Sequence, residues 1–236
     1  MNQIVEPKEA FPYKPPTDEI KLNYKHIFEL KEPLPSRFFK TLFDKIVALF
    51  MLAIAAPIML LLKIAYATEG FLIPENAGPM FFYYNGISAG KIIPKYKVRL
   101  IKQKYIDPEG AKRHDWIAFS AEWTPDSRTH VGEFVKKFYL DELPQFWSVL
   151  KGDMSIVGPR PLTHKEVALY LRDKADKILS VRPGLTTLWV TKGRNHLSLQ
   201  ERIQLEEVYI ENRSLWLDLK LICKTVRIML FPRGAY

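Results

Sequence analysis

The chain has 236 residues, 47% of them hydrophobic, with 35 Lys and Arg against 26 Asp and Glu for a net charge of +9. That apolar content builds one sizeable domain or two small ones and excludes a disordered protein, while the charge calls for an acidic partner: nucleic acid, an anionic membrane surface or a phosphate-rich substrate. The single cysteine, Cys223, excludes an internal disulfide framework and a thiolate zinc site, and no two of the five histidines stand at metal-ligand spacing.

Residues 1–35 hold six of the 17 prolines. Helix and ladder hydrogen bonding is interrupted throughout, so this reads as an extended arm. It is not a signal peptide, because no apolar stretch follows the start. From Ile46 to Leu62, IVALFMLAIAAPIMLLL, there are 17 residues without a charged or polar side chain. As a helix that run spans roughly 26 Å, slightly short of the roughly 30 Å hydrocarbon core. Pro57 lies inside it, where it removes one helix hydrogen bond and bends the axis. Arg37, Lys40 and Lys45 precede the run, and Lys63, Lys91, Lys95, Lys97 and Arg99 follow. Basic residues on both sides favour both ends staying cytoplasmic, so a re-entrant hairpin suits the segment better than a single span or a buried core helix.

After Gly70 the pattern changes to short apolar runs, PMFFYY and KIIPKYKVRLI, separated by NGISAG. This reads as two strands around a turn. The stretch from Lys102 to Ser127 has weak periodicity and receives no element, whereas SVRPGLTTLWV reads as extended. Two helices carry capping-box starts: Thr163 with Glu166, and Ser198 with Glu201 before a helix ending near Asn212. In LWLDLKLICKTVRIMLF, residues 215–231, Leu215, Leu219, Ile222, Val226 and Met229 follow helical spacing on one face, with Lys220, Lys224 and Arg227 on another. Such a helix lies in a bilayer interface or packs a core with its basic side solvated.

The sequence LDELPQFW, residues 140–147, sets Asp141 beside Glu142 ahead of a short apolar helix. With Asp141 near the N-cap and Pro144 in the first turn, the carboxylate would face free backbone N–H groups and the positive end of the helix dipole. The same place favours a phosphate, and an ionised carboxylate beside phosphate can attack phosphorus. A divalent cation such as Mg²⁺ would relieve the repulsion there, with Glu142 completing its shell or shuttling a proton. On these residues alone, plain N-capping is the usual explanation of such a pair. Downstream, Gly158-Pro159-Arg160-Pro161 stiffens the backbone around a guanidinium suited to phosphate. Lys97 and Arg99, alternate residues on a predicted strand, would share a face as a second basic pair.

Together these features resemble the bacterial sugar transferase family, the monotopic polyprenyl-phosphate phosphoglycosyl transferases. The likeness runs from about Phe38 to the C-terminus. It rests on the proline-containing apolar helix, YKVR, PDSRTHVG, LDELPQFWSVLKGDMSIVGPRPL, VRPGLTTLW, KGRN and SLWLDLKLICKTV. The long LDELPQ…GDMSIVGPRPL block is its most specific part. The resemblance implies an α+β, mostly helical monotopic membrane protein, with a re-entrant helix, a small β element and C-terminal amphipathic interfacial helices. It implies an arm over 1–35, a membrane helix over 36–70 and a catalytic domain over 71–236.

The activity it implies is transfer of a hexose 1-phosphate from a UDP-sugar to undecaprenyl phosphate through an aspartyl phosphosugar intermediate, with release of UMP. Asp141 would be the nucleophile and Glu142 its partner, with Mg²⁺ at both. Lys97, Arg99, Arg128, Arg160 and Arg194 would be phosphate or nucleotide contacts. The terminal RGAY resembles members that transfer galactose 1-phosphate. The setting implied is the cytoplasmic face of a bacterial inner membrane, with room for a homodimer and no nucleic-acid partner. Some positions depart from the family pattern. Tyr84-Asn85-Gly86 stands where an Arg-x-Gly is usual, Lys136 and Tyr139 stand where Arg and Ser are usual, and Thr187 and Val190 replace Gly and Gln. These departures motivate the alternative of a non-catalytic relative that binds nucleotide sugar or a partner enzyme.

Overall fold

The computed structural model of the chain describes residues 37–88, 91–105, 124–162, 177–192 and 197–230. The proline-rich arm, the helix expected after Thr163 and most of the unassigned stretch after Lys102 lie outside the described residues. The described elements are mostly helical: α1 (Phe38–Leu72), β1 (Phe81–Ser88), β2 (Lys91–Val98), α2 (His130–Lys137), α3 (Gln145–Lys151), β3 (Ser155–Val157), β4 (Gly184–Thr186), α4 (Leu199–Asn212) and α5 (Leu215–Leu230), with short 3-10 turns between.

The apolar run lies inside the much longer α1, 35 residues that pass through Pro57. At about 1.5 Å per residue this helix is roughly 52 Å long, so the lipid-length run is only its middle. It is the one helix among the described residues long and apolar enough to cross a membrane. Leu49, Phe50, Leu60, Leu61 and Ile64 are exposed along it, Phe50 at 65%. Each such side chain gains about 1.5–3 kcal/mol on leaving water, which a bilayer can supply.

The chain folds as two compact units. In the first, which holds residues 49–85 and the described parts of 94–148, the lower half of α1 turns one stripe inward. Leu62 and Tyr66 pack with Met80, Val98, Leu100, Ile101 and Val135. Glu69 continues the same stripe one turn on, and there the chain needs an acid. Its carboxylate accepts from the backbone N–H groups of His130 (2.6 Å) and Val131 (3.2 Å) and from Asn76 Nδ2 (2.7 Å). Thr129, the N-cap of α2, accepts from Gly132 N at 2.8 Å. Two side chains thus satisfy N–H groups that a helix start leaves without partners, and the negative charge meets the positive end of the helix dipole. At Gly132 a Cβ would sit 2.0 Å from the Leu100 carbonyl oxygen. Only glycine lets α2 approach that backbone so closely.

The second unit contains residues 37–48, 86–93 and the described part of 149–230. Its core is tied by two buried aspartates. Asp44 accepts from Lys40 Nζ (2.5 Å), Ser155 Oγ (2.7 Å) and Ile156 N (3.2 Å). Asp218 accepts from Arg37 (3.0 Å) and the Tyr209 hydroxyl (2.8 Å), with Lys40 Nζ 3.6 Å away. Removing one member would leave an uncompensated buried charge, a loss of about 3–5 kcal/mol. β3 and β4 pair in parallel, Ser155 opposite Gly184 and Val157 opposite Thr186. The Ser198–Glu201 capping box forms as expected and opens α4, which ends at Asn212 as its pattern suggested.

Three expectations need correcting. β1 runs on through Asn85-Gly86-Ile87-Ser88, so the turn is shorter than NGISAG. Only Gly184–Thr186 of SVRPGLTTLWV is strand; Trp189–Thr191 is a 3-10 turn. In α5 the inward row is Asp218, Leu221 and Thr225, the last bonded to the Thr186 hydroxyl at 2.6 Å, while Leu215, Trp216 and Val226 are exposed. The buried aspartate pulls the inward face away from the most apolar one.

Candidate functional site

Asp141 and Glu142 lie in a 3-10 turn, Leu140–Glu142, between α2 and α3. Leu140 packs on the core cluster of the first unit and anchors the turn. Tyr139, just before it, has φ 56° and ψ 28°, the one non-glycine residue with positive φ among those described. A left-handed residue with a Cβ costs about 1–2 kcal/mol, and such strain concentrates at functional sites. Here it reverses the chain out of α2 and brings the acid pair back under β2. Asp141 is 2% exposed, whereas the Glu142 side chain is 51% exposed.

The partner of both is Lys97, near the end of β2 and itself buried. Its Nζ stands 3.5 Å from Asp141 Oδ2 and 3.6 Å from Glu142 Oε1. Lys136, in the last turn of α2, adds a second ammonium 4.0 Å from Asp141 Oδ2. Two cations therefore converge on the carboxylate pair, one from a strand and one from a helix end. The helix-cap expectation for Asp141 does not hold, because α3 begins only at Gln145 and lysine rather than backbone N–H neutralises the carboxylate.

The other anticipated contacts divide. Arg99 does not join Lys97 on one strand face, because β2 ends at Val98. Its buried guanidinium donates to the carbonyls of Pro79 (2.8 Å), Ile101 (2.7 Å) and Asn76 (2.8 Å), lies over the Tyr66 ring, and has its pKa lowered by burial. Arg99 is the clasp of the first unit's fold rather than a free phosphate ligand. Arg128 is half-buried in a bridge with Ile101, and Arg194 lies outside the described residues. Arg160 belongs to the second unit, where its backbone N–H donates to Glu206 Oε1 at 2.8 Å and its guanidinium lies over Trp189 at 5.7 Å.

Glu206 escaped sequence reasoning. It is 3% exposed, and burial pushes its pKa up to about 8 against the smaller opposing pull of the Arg160 N–H, the Trp189 indole and the Arg160 charge. Its Oε2 has no hydrogen-bond partner among the described residues. The signal available was an acid on the inward stripe of α4, three residues before the buried Tyr209. Asp44 was likewise readable only as the i+4 partner of Lys40.

Asp141 and Glu142 are the residues that would hold Mg²⁺, which takes one or two carboxylates and completes its shell with waters and substrate phosphates; the Lys97 ammonium already lies within 3.6 Å of both. Among the described residues there is no cluster of three or more His, Cys, Asp or Glu that could hold a metal by itself.

A family model described as bacterial sugar transferase matches residues 35–232. The chain is 36% identical over 210 residues to an undecaprenyl-phosphate galactose phosphotransferase of Salmonella typhimurium, covering 85% of this chain and 42% of that one. It is 32% identical to the exopolysaccharide production protein ExoY of Sinorhizobium fredii, over 84% of this chain and 88% of ExoY. To a UDP-N-acetylgalactosamine-undecaprenyl-phosphate N-acetylgalactosaminephosphotransferase of Aeromonas hydrophila it is 33% identical, over 93% of this chain and 51% of that protein. It thus spans less than half the length of the Salmonella relative and most of ExoY. With the match covering nearly all described elements, the acid pair and its lysines included, the chain belongs to the bacterial sugar transferase family.

Proposed function

We propose that the chain transfers a hexose 1-phosphate from a UDP-sugar to undecaprenyl phosphate at the cytoplasmic face of a bacterial inner membrane. The observation that carries this reading is the buried Asp141 with the Lys97 ammonium within 3.6 Å of both its carboxylate and that of Glu142. An Asp141 oxygen attacks the sugar-bearing phosphorus, the diphosphate P–O bond breaks, and UMP leaves with the electron pair. The lipid phosphate then attacks the same phosphorus and releases the Asp141 carboxylate. Lys97 and Lys136 hold that carboxylate in place and offset charge on the phosphate oxygens. Glu142, exposed beside it, takes the proton of a lipid phosphate that arrives protonated, as that phosphate attacks, and releases it to solvent. Mg²⁺ held by Asp141 and Glu142 would further neutralise the diphosphate.

Purified protein with undecaprenyl phosphate and Mg²⁺ is expected to release UMP from one UDP-hexose, with UDP-galactose and UDP-N-acetylgalactosamine the first donors to test. UDP binding without UMP from any hexose or N-acetylhexosamine donor would identify a non-catalytic relative instead.

The exposed apolar face of α1 and the basic residues on both sides of its apolar run support a re-entrant, monotopic placement. In a Cys223→Ser background, cysteines at Ser36 and at the exposed Glu75 are expected to be shielded from impermeant reagent in intact cells. Labelling at one position alone means that α1 spans the bilayer.

A further inference from the structure

The second unit contains a cavity of about 370 Å³ whose lining includes Arg37, Lys40, Lys91, Asp153, Arg182 and Arg213. None of Lys97, Lys136, Asp141 or Glu142 lines it. The acids around it are already committed. Asp153 pairs with Lys151 at 2.9 Å, and Asp44 and Asp218 bind Lys40 and Arg37. The hydroxyls are committed too: Ser88 to the Asp153 carbonyl, Ser155 to Asp44, Ser180 to the Lys177 carbonyl and Tyr209 to Asp218. Three cations are left over. Lys91 and Arg213 have no ion pair among the described residues, and the hydrogen-bond partner of Arg182 there is the neutral Thr41 hydroxyl, 2.8 Å away. Burial, and after it the nearby Arg37 charge, pulls the pKa of Arg213 below its ordinary value. A hollow that gathers surplus guanidinium and ammonium groups offers them to an anion, and arginine forks match phosphate oxygens best.

Its position suggests where the anion comes from. Arg37 and Lys40 stand at the very start of α1, beside Phe38 and Phe39, which are 72% and 75% exposed. Arg213 precedes α5, whose Trp216 is 67% exposed. Basic residues at the end of an apolar helix together with an exposed tryptophan mark the depth of lipid headgroups.

We propose that this cavity binds the phosphate of a phosphoester, supplied by a phospholipid headgroup or by a soluble phosphate. The site does not depend on the transferase reading and would remain if that reading failed. Two arms separate the sources. The full chain is released from nanodiscs of equal phosphatidylglycerol and phosphatidylcholine and weighed by native mass spectrometry, and in detergent it is titrated with inorganic phosphate by calorimetry. Wild type is expected to retain one phosphatidylglycerol, and the Lys91→Gln/Arg213→Gln variant to lose it by about tenfold or more, as loss of charge-assisted bonds implies. Heat on phosphate titration that vanishes in the variant assigns the site to a soluble phosphate instead. Lys91 is exposed, so Lys91→Gln alone keeps the fold and should weaken retention in the same direction. Equal binding by wild type and Lys91→Gln in both arms, or binding by neither, overturns the proposal.

Discussion

Asp141→Asn is expected to fold, bind membranes and bind UDP-sugar, yet to release UMP at least roughly 10³-fold more slowly, the scale of loss when a nucleophile acting in a unit is removed. Asparagine has the size of aspartate and keeps one oxygen facing Lys97 and Lys136, so packing in the turn is preserved. What it lacks is an anionic oxygen able to form a bond to phosphorus. Lys97 retains Glu142 at 3.6 Å, so its buried ammonium is not left unpaired. The decisive measurement uses UDP-sugar radiolabelled in the sugar, without lipid acceptor. Wild type should carry about one label per chain, lost on adding undecaprenyl phosphate, and the Asn variant none. Turnover by Asp141→Asn at the wild-type rate, or label on another residue, would remove Asp141 from the nucleophile's role.

What sequence alone conveyed depended on the distance over which each feature is decided. The apolar run of α1 and the Ser198–Glu201 box are local, set by composition and by a hydrogen bond across three residues, and both stand where they were expected. The acid pair was legible as chemistry, but its setting was not. Lys97 and Asp141 are 44 positions apart, and what joins them is the left-handed Tyr139, a conformation that tyrosine as a residue type disfavours. Arg99 misled because alternation assumes the strand continues. The strand stops one residue earlier, and the guanidinium turns to three carbonyls that need donors. The parallel pairing of β3 with β4 joins three-residue strands far apart in the chain, too short to carry a periodic signal. Polar residues inside apolar patterns carried most of the hidden information: Asp44, Glu69, Glu206 and Asp218 each answer a need elsewhere in the fold.

Glu206 yields the largest expected dependence of stability on pH, and its sign follows from proton linkage. Buried, the carboxyl has its pKa raised from 4.5 to about 8. Between those values the folded chain keeps a proton that the unfolded chain has released, so stability falls as pH rises. The contribution is complete below about 4.5 and gone above about 8. A shift of this size corresponds to a few kcal/mol. For a chain of this length that is a drop in melting temperature on the order of 10 °C across the window. Glu206→Gln keeps an oxygen for the Arg160 N–H but has no proton to lose, so its melting temperature should stay flat where wild type declines. An ionised carboxyl is the stronger acceptor for the Arg160 N–H, so that bond is not what ionisation loosens, and the lost stability is the cost of a buried charge. Parallel decline of both proteins between about pH 5 and 8.5 would mean that another group sets the pH dependence and that Glu206 is charged in the native fold.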